Sequence, residues 1–323
     1  MKNRYRAALI GLGNIAWRFD QRIGGKHLGL THVSAYMQND RIEIVGGCSP
    51  DEEDCESFKK AFNVPVYKTV EEMMENLGPD IVSICSPQQL HFEHIMHCFK
   101  RGVSMVWLEK PPAGSLRELD ELLQEAKRQN GKTKVLVNYQ RRYTENYEYL
   151  RNLYRERTFG KCRYIHATYS RGLETNGSHV LDILFFIIGD DRQYDLEEIG
   201  IFNDAENPSF SLTFDGGPSV TISGMDLPYH CIDISLICEL GRISVLYGGM
   251  KTFIENKVEH ELFPGFFRLR EDNHCIPGHE SFCSSMKRAL EDLIASFEKG
   301  HEPKSTLVSS RNTQALIEKV KHR

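Results

Sequence analysis

The feature that most constrains this sequence is a glycine-rich turn near its start. The short apolar run Ala7–Ile10 is followed directly by Gly11-Leu12-Gly13-Asn14-Ile15-Ala16, in the pattern G-x-G-x-x-A. This pattern predicts a buried strand, a tight turn at Gly11, and a helix that Ala16 allows to pack closely on the strand. Gly13 would let the backbone approach a pyrophosphate at the helix N-terminus. Taken alone, the pattern also fits a glycine turn between any buried strand and helix.

The composition is that of a globular chain without a nucleic-acid or membrane partner. The chain has 323 residues, of which 40% are hydrophobic and 26% charged, and its net charge is −5. This length suits two ordinary domains, and the charge lacks the basic excess of nucleic-acid-binding proteins. No apolar run reaches the length of a membrane-spanning helix. Basic residues precede the first apolar run, but glycines interrupt it, so we interpret it as a strand of a cytoplasmic protein and not as a signal peptide.

The cysteines indicate buried thiols and not a disulfide framework. There are nine of them, an odd number, and no C-x-x-C pattern occurs. Several lie inside apolar runs, such as Cys85 in IVSICSP and Cys238 in ISLICEL. Free cysteine in such a setting behaves as a small buried hydrophobe.

Strand and helix patterns alternate over the first 140 residues, with Thr31 and Thr69 as predicted helix caps and a predicted loop over 18–32. The alternation predicts a doubly wound parallel sheet, and therefore a dinucleotide-binding Rossmann domain over 1–140. Ligands bind outside the carboxyl ends of such strands. The residues that follow four of the predicted strands are Gly11, Ser49, Ser86 and Lys110. A chance glycine turn does not predict this clustering, so it favours the dinucleotide interpretation.

The pattern changes after residue 140. An apolar helix, GSHVLDILFFIIG, is followed by several strands with short turns between them, and two helices end the chain. Strands without long intervening helices favour an antiparallel sheet. We therefore predict a second domain over 141–323, of the α+β class with a large, mostly antiparallel sheet, that binds substrate and forms oligomers. The fold class of the whole chain is α/β in its first part and α+β in its second.

Five short motifs, in this order, resemble those of the Gfo/Idh/MocA oxidoreductases. They are GLGNIA, the Ser86-Pro87 pair with His91 four residues after the proline, Glu109-Lys110-Pro111, the arginine-bearing stretch Tyr139–Tyr143, and the G-x-H-x-x-D of Gly177 to Asp182. The resemblance covers almost the whole chain. It implies an N-terminal Rossmann domain, a C-terminal domain with a mostly antiparallel sheet, a nicotinamide cofactor, and a substrate among sugars, sugar nucleotides and inositols.

The resemblance also implies which residues form the site. Cofactor contacts are expected from Gly11, Gly13, Asn14, Ile15, Ala16, Ser49, Asp51, Ser86, Pro87, His91 and Glu109. Substrate contacts are expected from Lys110, Arg142, Thr175, His179 and Asp182. The chain departs from the family at Thr175, where many members carry an aspartate four residues before the motif histidine. This departure puts in doubt a proton relay that would use that aspartate.

Lys110 and His179 are the candidate catalytic residues. Hydride transfer between a nicotinamide and a carbinol needs a group that exchanges the hydroxyl proton and a positive charge beside the developing alkoxide. Lys110 can do both, on a turn that two prolines stiffen, and partial burial would lower its pKa. His179 can move a proton near neutral pH, and Asp182 lies three residues on, on the same helix face. The non-catalytic alternatives are that Lys110 is a surface lysine before a proline turn and that His179 is a buried histidine in an apolar helix.

Two further expectations concern metals and cofactor choice. His91, His94 and His97 suggest a metal at first sight, but their spacing rotates them off one helix face, so we expect no metal. At the end of the second strand, Asp51 would repel a 2′-phosphate and no basic residue lies between Cys48 and Asp54. We therefore expect NAD, with NADP as the alternative.

The sequence thus predicts an NAD(P)-dependent dehydrogenase of a sugar or sugar nucleotide. Two alternatives stay open: a reductase of a non-sugar carbonyl on the same fold, and an NAD-binding sensor or scaffold without turnover. We also expect a homo-dimer or homo-tetramer, because the strands CIDISLICEL and GRISVLYGG are too apolar for a sheet face in water.

Overall fold

The computed structural model describes residues 4–22, 29–200, 205–272, 276 and 278–322. The chain forms two compact units. One consists of Met1–Gln140 and Cys283–Arg311, and the other of Arg141–Phe282 and Asn312–Arg323. The sequence-based division kept everything after residue 140 in the second domain, whereas the contacts assign residues 283–311 to the first unit.

The first unit contains a six-stranded parallel sheet in the order β3-β2-β1-β4-β5-β6. Its strands are β1 (Tyr5–Ile10), β2 (Ile42–Cys48), β3 (Val66–Tyr67), β4 (Ile81–Ile84), β5 (Met105–Leu108) and β6 (Lys134–Val137). β1, β4, β5 and β6 are almost completely buried, as near-continuous apolar runs predict for strands covered on both faces. The predicted doubly wound Rossmann sheet is confirmed.

Polar side chains fix where several helices begin. The hydroxyl of Thr31 accepts the N–H of Ser34 at 3.2 Å, and that of Thr69 accepts the N–H of Glu72 at 3.3 Å, so both predicted caps are confirmed. The helices are α1 (Phe19–Arg22), α2 (His32–Met37), α3 (Glu52–Phe62), α4 (Val70–Leu77), α5 (His91–Arg101), α6 (Leu116–Arg128), α7 (Glu145–Glu156), α8 (Ser178–Ile188), α9 (Gly278–Lys299) and α10 (Leu307–Lys321).

The loop predicted over 18–32 is partly helical. A π-helical turn over Asn14–Arg18 continues directly into α1, and the residues 23–28 of the predicted loop lie outside the described residues. No helix in the described part of the chain is long and apolar enough to cross a membrane.

The second unit contains an eight-stranded sheet in the order β14-β13-β12-β11-β7-β10-β9-β8. Neighbouring strands are antiparallel except β7 and β10, which are parallel. The strands are β7 (Cys162–Ser170), β8 (Tyr194–Gly200), β9 (Ser209–Phe214), β10 (Ser219–Met225), β11 (Ile232–Cys238), β12 (Gly241–Leu246), β13 (Lys251–Glu259) and β14 (Phe267–Glu271). The prediction of a large, mostly antiparallel sheet is confirmed.

One face of this sheet packs on the apolar helix α8 and on α7 and α10. The apolar side chains of β11 and β12 point into this core, including Ile234, Leu236, Ile243 and Val245. The residues of these strands on the opposite face include Ser235 and Ser244, whose hydroxyl oxygens lie 2.8 Å apart, and Ile237, which is 41% exposed. Most of the apolar side chains of these strands therefore belong to the helix-covered face, and the homo-oligomer stays a prediction.

Candidate active site

A cleft of about 710 Å³ lies at the carboxyl ends of β1, β2 and β4 in the first unit. Six of the predicted cofactor residues line it: Gly11, Gly13, Ser49, Asp51, Ser86 and Pro87. Asn14, Ile15 and Ala16 follow in the π-helical turn, where Ala16 is completely buried against the sheet. The lining is more apolar than polar, as is usual for a cofactor site with few orienting polar groups.

The two glycines of the turn meet different requirements, and together they fit a dinucleotide pyrophosphate. Gly11 has a φ of +85°, and a Cβ added to it would lie 2.7 Å from the backbone nitrogen of Ser86. Only glycine allows that turn to pass so close to the end of β4. At Gly13, in contrast, an added Cβ would meet nothing within 4 Å, so this position opens onto free space. A pyrophosphate could approach the backbone there without contacting a side chain.

One end of the cleft is charged. The Asp51 side chain accepts the N–H of Asp54 at 2.9 Å, which caps α3 and fixes the carboxylate at the cleft wall. Asp54 pairs with Arg18 at 2.6 Å, and Lys68 also lines the cleft. Arg18 and Lys68 were not predicted as site residues, because both are distant in sequence from the end of β2 and only the fold brings them there.

The Ser86-Pro87 motif contributes to the cleft partly through a histidine that the sequence analysis considered only as a metal ligand. His94 lines the cleft, and its Nδ1 lies 2.8 Å from the hydroxyl of Ser86. The motif residue His91 is instead buried, with Nε2 2.9 Å from the carbonyl oxygen of Ser86 and Nδ1 2.7 Å from that of Pro111. His91 therefore connects the turn after β4 to the turn after β5, and it does not line the cleft.

Lys110 lies in the turn after β5, the strand that pairs with β4. The N–H of Glu109 donates to the carbonyl of Ile84 at 3.0 Å, which places this turn beside the end of β4 at the edge of the sheet that carries the cleft. The backbone N–H of Lys110 donates to the Glu109 carboxylate at 3.3 Å. The position of Lys110 thus depends on how Glu109 is held.

Glu109 belongs to a buried polar network and does not line the cleft. Its Oε1 lies 3.0 Å from Nε2 of His32 and accepts the side-chain amide of Asn138 at 2.5 Å. Burial alone would raise the pKa of Glu109, but the hydrogen bond and charge of His32, the Asn138 amide and the charge of Lys110 outweigh it, so its pKa is lowered.

The network continues into the core on both sides of Glu109. Nδ1 of His32 lies 2.8 Å from the hydroxyl of Ser83, which lies 2.6 Å from the hydroxyl of Tyr36. The indole N–H of Trp107 donates to Asn138 at 3.1 Å, and the Trp107 ring packs on His32 with centroids 4.1 Å apart. These polar groups are mutually satisfied in a fully buried setting, an arrangement that rigidifies the turn they support. None of these residues was predicted as part of the site.

In the second unit, two predicted substrate residues contact each other. The guanidinium of Arg142 donates to both carboxylate oxygens of Asp182 at 2.7–3.0 Å and to Asp190 at 2.8 and 2.9 Å. Arg142 and Asp182 are completely buried. Burial lowers the pKa of Arg142, but the charge of Asp182 and the hydrogen bonds to Asp190 and Asp182 more than offset this, and its pKa is raised. The arginine is thus the centre of a buried ion-pair cluster.

The remaining predicted residues, His179 and Thr175, lie at the start of α8 in the second unit. Thr175 is exposed within a π-helical turn, Leu173–Gly177, and lines a cleft of about 390 Å³ with Arg171, Glu206 and other residues. His179 is partly exposed in the first turn of α8. Asp182 lies one turn further along but is engaged with Arg142. Within the described ranges, no group of three or more His, Cys, Asp or Glu side chains could hold a metal ion.

The parallel sheet and the cleft at its carboxyl edge are typical of a dinucleotide-binding Rossmann domain, and comparison with known proteins shows which family this domain resembles. Residues 5–139 match the model of the Gfo/Idh/MocA oxidoreductase family, described as having an NAD-binding Rossmann fold. Over these residues, which lie in the first unit, the chain is similar to that family.

Curated relatives match only part of the chain. The D-glucoside 3-dehydrogenase of Escherichia coli strain K12 is 27% identical over 173 residues, 53% of this chain and 44% of that protein. The myo-inositol 2-dehydrogenase of Thermotoga maritima is 24% identical over 147 residues, 45% of this chain and 43% of that protein. The chain therefore matches less than half the length of each of these relatives.

Among solved structures, the similarity extends over both units. A 3-ketoreductase variant from Actinomadura kijaniata, solved with TDP-benzene and NADP, superposes with a TM-score of 0.75 at 16% identity, covering 99% of this chain and 98% of that chain. At this identity the match shows a common fold.

Proposed function

We propose that this protein is an NAD(P)-dependent dehydrogenase or reductase that transfers hydride between the nicotinamide and a hydroxyl or carbonyl carbon of a sugar or sugar nucleotide. The observation that carries the proposal is the position of Lys110. It lies in a turn that a buried network holds, at the same sheet edge as a cleft shaped for a dinucleotide. The matched relatives, a glucoside and an inositol dehydrogenase, support a carbohydrate substrate.

In this proposal, the residues of the chain position the reactants and manage the proton. Bound nicotinamide supplies the hydride acceptor or donor. Gly11 and Gly13 admit the pyrophosphate, and Lys110 takes or returns the hydroxyl proton while its charge stabilises the developing alkoxide. His179 acts as a second acid–base group. For Arg142 and Asp182 we propose a structural role in place of substrate contact, because their charges satisfy each other inside the second unit.

The choice of nucleotide follows from the charged end of the cleft. Asp51, Asp54 and Glu71 line it together with Lys68, and Asp54 already pairs with Arg18. Excess negative charge disfavours a 2′-phosphate. We therefore propose NAD over NADP, and tighter binding of NADPH than of NADH in parallel titrations would contradict this choice.

Titration of NADH fluorescence tests the nucleotide site. Gly13→Val places a branched side chain where the backbone opens onto free space, so we expect NADH affinity to fall at least tenfold. Gly78→Ala is the control for general destabilisation, because Gly78 has open space around it but a positive φ of 53° at the C-cap of α4, so this variant should be less stable and keep its NADH affinity. Undiminished affinity in Gly13→Val would exclude this turn as the binding site. Tight NADH binding without turnover of any sugar would instead favour the sensor alternative.

We also propose that the protein is a homo-dimer or homo-tetramer, on a basis other than the sequence argument. Large apolar side chains are exposed at the hairpin between β13 and β14, with Leu262 77% and Phe266 71% exposed, and Phe263 and Phe267 beside them. Contiguous apolar patches of this kind commonly mark protein contacts. Sedimentation at micromolar concentration should show an oligomer that the double variant Phe263→Ser, Phe266→Ser dissociates, and a monomeric wild type would refute the proposal.

A further inference from the structure

Arg141, the neighbour of Arg142 in the same motif, is a buried cation with no carboxylate partner in the part of the chain that the structure describes. It is 5% exposed. One guanidinium nitrogen, Nη1, donates to the carbonyl of Gly248, and Nη2 lies 3.5 Å from Nε2 of His230. The guanidinium carbon lies 5.4 Å from the centre of the Phe282 ring, and Nε has no hydrogen-bond acceptor. A buried charge without a counterion is costly, so proteins seldom keep one without a use.

Other basic and polar groups converge on the same place. His230 is exposed, and its Nδ1 lies 3.2 Å from the side-chain amide of the buried Asn176. The pKa of His230 is lowered by burial and then by the positive charges of Arg141 and Arg171, so both charges act on the ring. Asp233, whose negative charge also acts on His230, accepts the N–H of Tyr247 at 2.6 Å.

The backbone around these groups adopts conformations that most residues avoid. Tyr247, Gly248 and Gly249 all have positive φ, at 57°, 66° and 99°. A Cβ at Gly248 would lie 3.1 Å from Nε2 of His230, and one at Gly249 would lie 3.3 Å from Nη1 of Arg141. Arg171 also has a positive φ, 66°. Strained backbone of this kind concentrates at ligand sites, where the surrounding structure holds it in place.

We propose that Arg141, Arg171, His230 and Asn176 form a subsite for an anionic group of the substrate, a sugar carboxylate or a sugar phosphate. The buried Arg141 would supply the positive charge that pairs with the anion. His230 and Arg171 are exposed, so a ligand can reach them from solvent. Arginine forms strong charge-assisted hydrogen bonds with both carboxylate and phosphate. This inference deepens the proposed function and rests on it for the statement that the ligand is a sugar.

The test is calorimetric binding to the full chain saturated with NADH, with four probes: glucose, glucuronate, glucose 6-phosphate and UDP-glucose. We expect at least one anionic probe to bind more than tenfold tighter than glucose. Comparing the affinity for glucuronate with the affinities for glucose 6-phosphate and UDP-glucose distinguishes a carboxylate site from a phosphate site. Arg141→Gln should remove this preference by tenfold or more, and Arg141→Lys should retain part of it.

Two further variants complete the experiment, one as a control and one as a second test of the subsite. Arg163→Gln removes an exposed arginine of the same unit that pairs with Glu239, and it should leave all affinities unchanged. Arg171→Gln alters an exposed side chain, so it reports on the subsite even where Arg141→Gln does not fold, and it should lower anion affinity several-fold.

Equal binding of glucose and the anions, binding of none of the probes, or equal losses in Arg163→Gln and Arg141→Gln would overturn the proposal. If the subsite is correct but the proposed reaction is wrong, anions would still bind through Arg141, but no sugar would be oxidised. Turnover of neutral sugars without any effect of Arg141→Gln would leave the reaction standing and remove the subsite.

Discussion

Arg141 and Arg142 are consecutive, both are buried, and yet their surroundings differ completely. Arg142 is enclosed by two carboxylates, Asp182 and Asp190, which take up its hydrogen-bonding capacity. Arg141 has a carbonyl, an imidazole and an aromatic ring around it. The comparison indicates that one arginine of the motif holds the second unit together and the other is kept for a ligand. Both side chains carry the same charge, so the charge does not distinguish the structural role from the ligand-binding role. The two differ in whether a buried carboxylate accompanies the guanidinium.

The largest effect should come from breaking the satisfied cluster. Arg142→Met leaves Asp182 completely buried without its counter-charge, which should lower the free energy of unfolding by about 3–5 kcal/mol. Urea denaturation measures this loss. The double variant Arg142→Met, Asp182→Leu should recover part of it, because Asp190 is 35% exposed and can be hydrated. A loss below about 1 kcal/mol in the single variant would show that the cluster is not the structural centre we infer.

A smaller effect is expected at Glu109, the carboxylate of the polar network beside Lys110 in the first unit. Glu109→Gln replaces a charged acceptor of hydrogen bonds, so we expect a loss of about 1.5–3 kcal/mol at pH 7. Because the pKa of Glu109 is lowered on folding, its ionised form stabilises the protein above the ordinary carboxyl pKa. That contribution disappears as the pH falls through the lowered value.

The pH dependence of unfolding therefore checks the sign of this effect. The stability difference between wild type and Glu109→Gln should be greatest at neutral pH and should shrink below about pH 4. A difference that grows towards acid pH would contradict the assignment. Glu121→Gln, at an exposed position on α6, serves as the control and should show little change at any pH.

The smallest effect on stability is expected at Arg141, in contrast to its neighbour Arg142. Arg141→Gln loses the bond to the Gly248 carbonyl but removes a buried charge that lacks a counterion. The lost hydrogen bond lowers stability and the removal of the buried charge raises it. The free energy of unfolding should therefore change by less than about 1.5 kcal/mol, well below the loss in Arg142→Met. Equal destabilisation by the two variants would place Arg141 in the structural framework and weaken its case as a ligand site.

Periodicity and caps predicted most of the fold, because these signals are local. The apolar run before Gly11 and the caps at Thr31 and Thr69 lie where the sequence predicts them. The return of residues 283–311 to the first unit has no local signal, since an amphipathic helix such as α9 can pack on either unit.

The candidate site was predicted in part, and the misses share one physical cause. Motif residues at strand ends line the cleft, because the ends of parallel strands meet at one edge. Partners distant in sequence, such as Lys68 at the cleft and Asp190 beside Arg142, were missed because only the tertiary fold brings them there. Ser83 and Asn138, polar residues in otherwise apolar strand segments, were a usable sign of the buried network that the sequence analysis did not use.

We propose that Lys110 carries the proton transfer of a nicotinamide-dependent reaction, and a comparison of reaction rates checks this role. A substrate is first found by screening sugars, uronates and sugar nucleotides for NADH formation. The initial rate is then measured for wild type and for Lys110→Met, which keeps much of the side-chain volume but loses the charge and the proton. We predict equal NADH affinity and a rate reduced by about 10²–10⁴-fold in the variant. Turnover of that substrate by Lys110→Met at the wild-type rate would contradict the account.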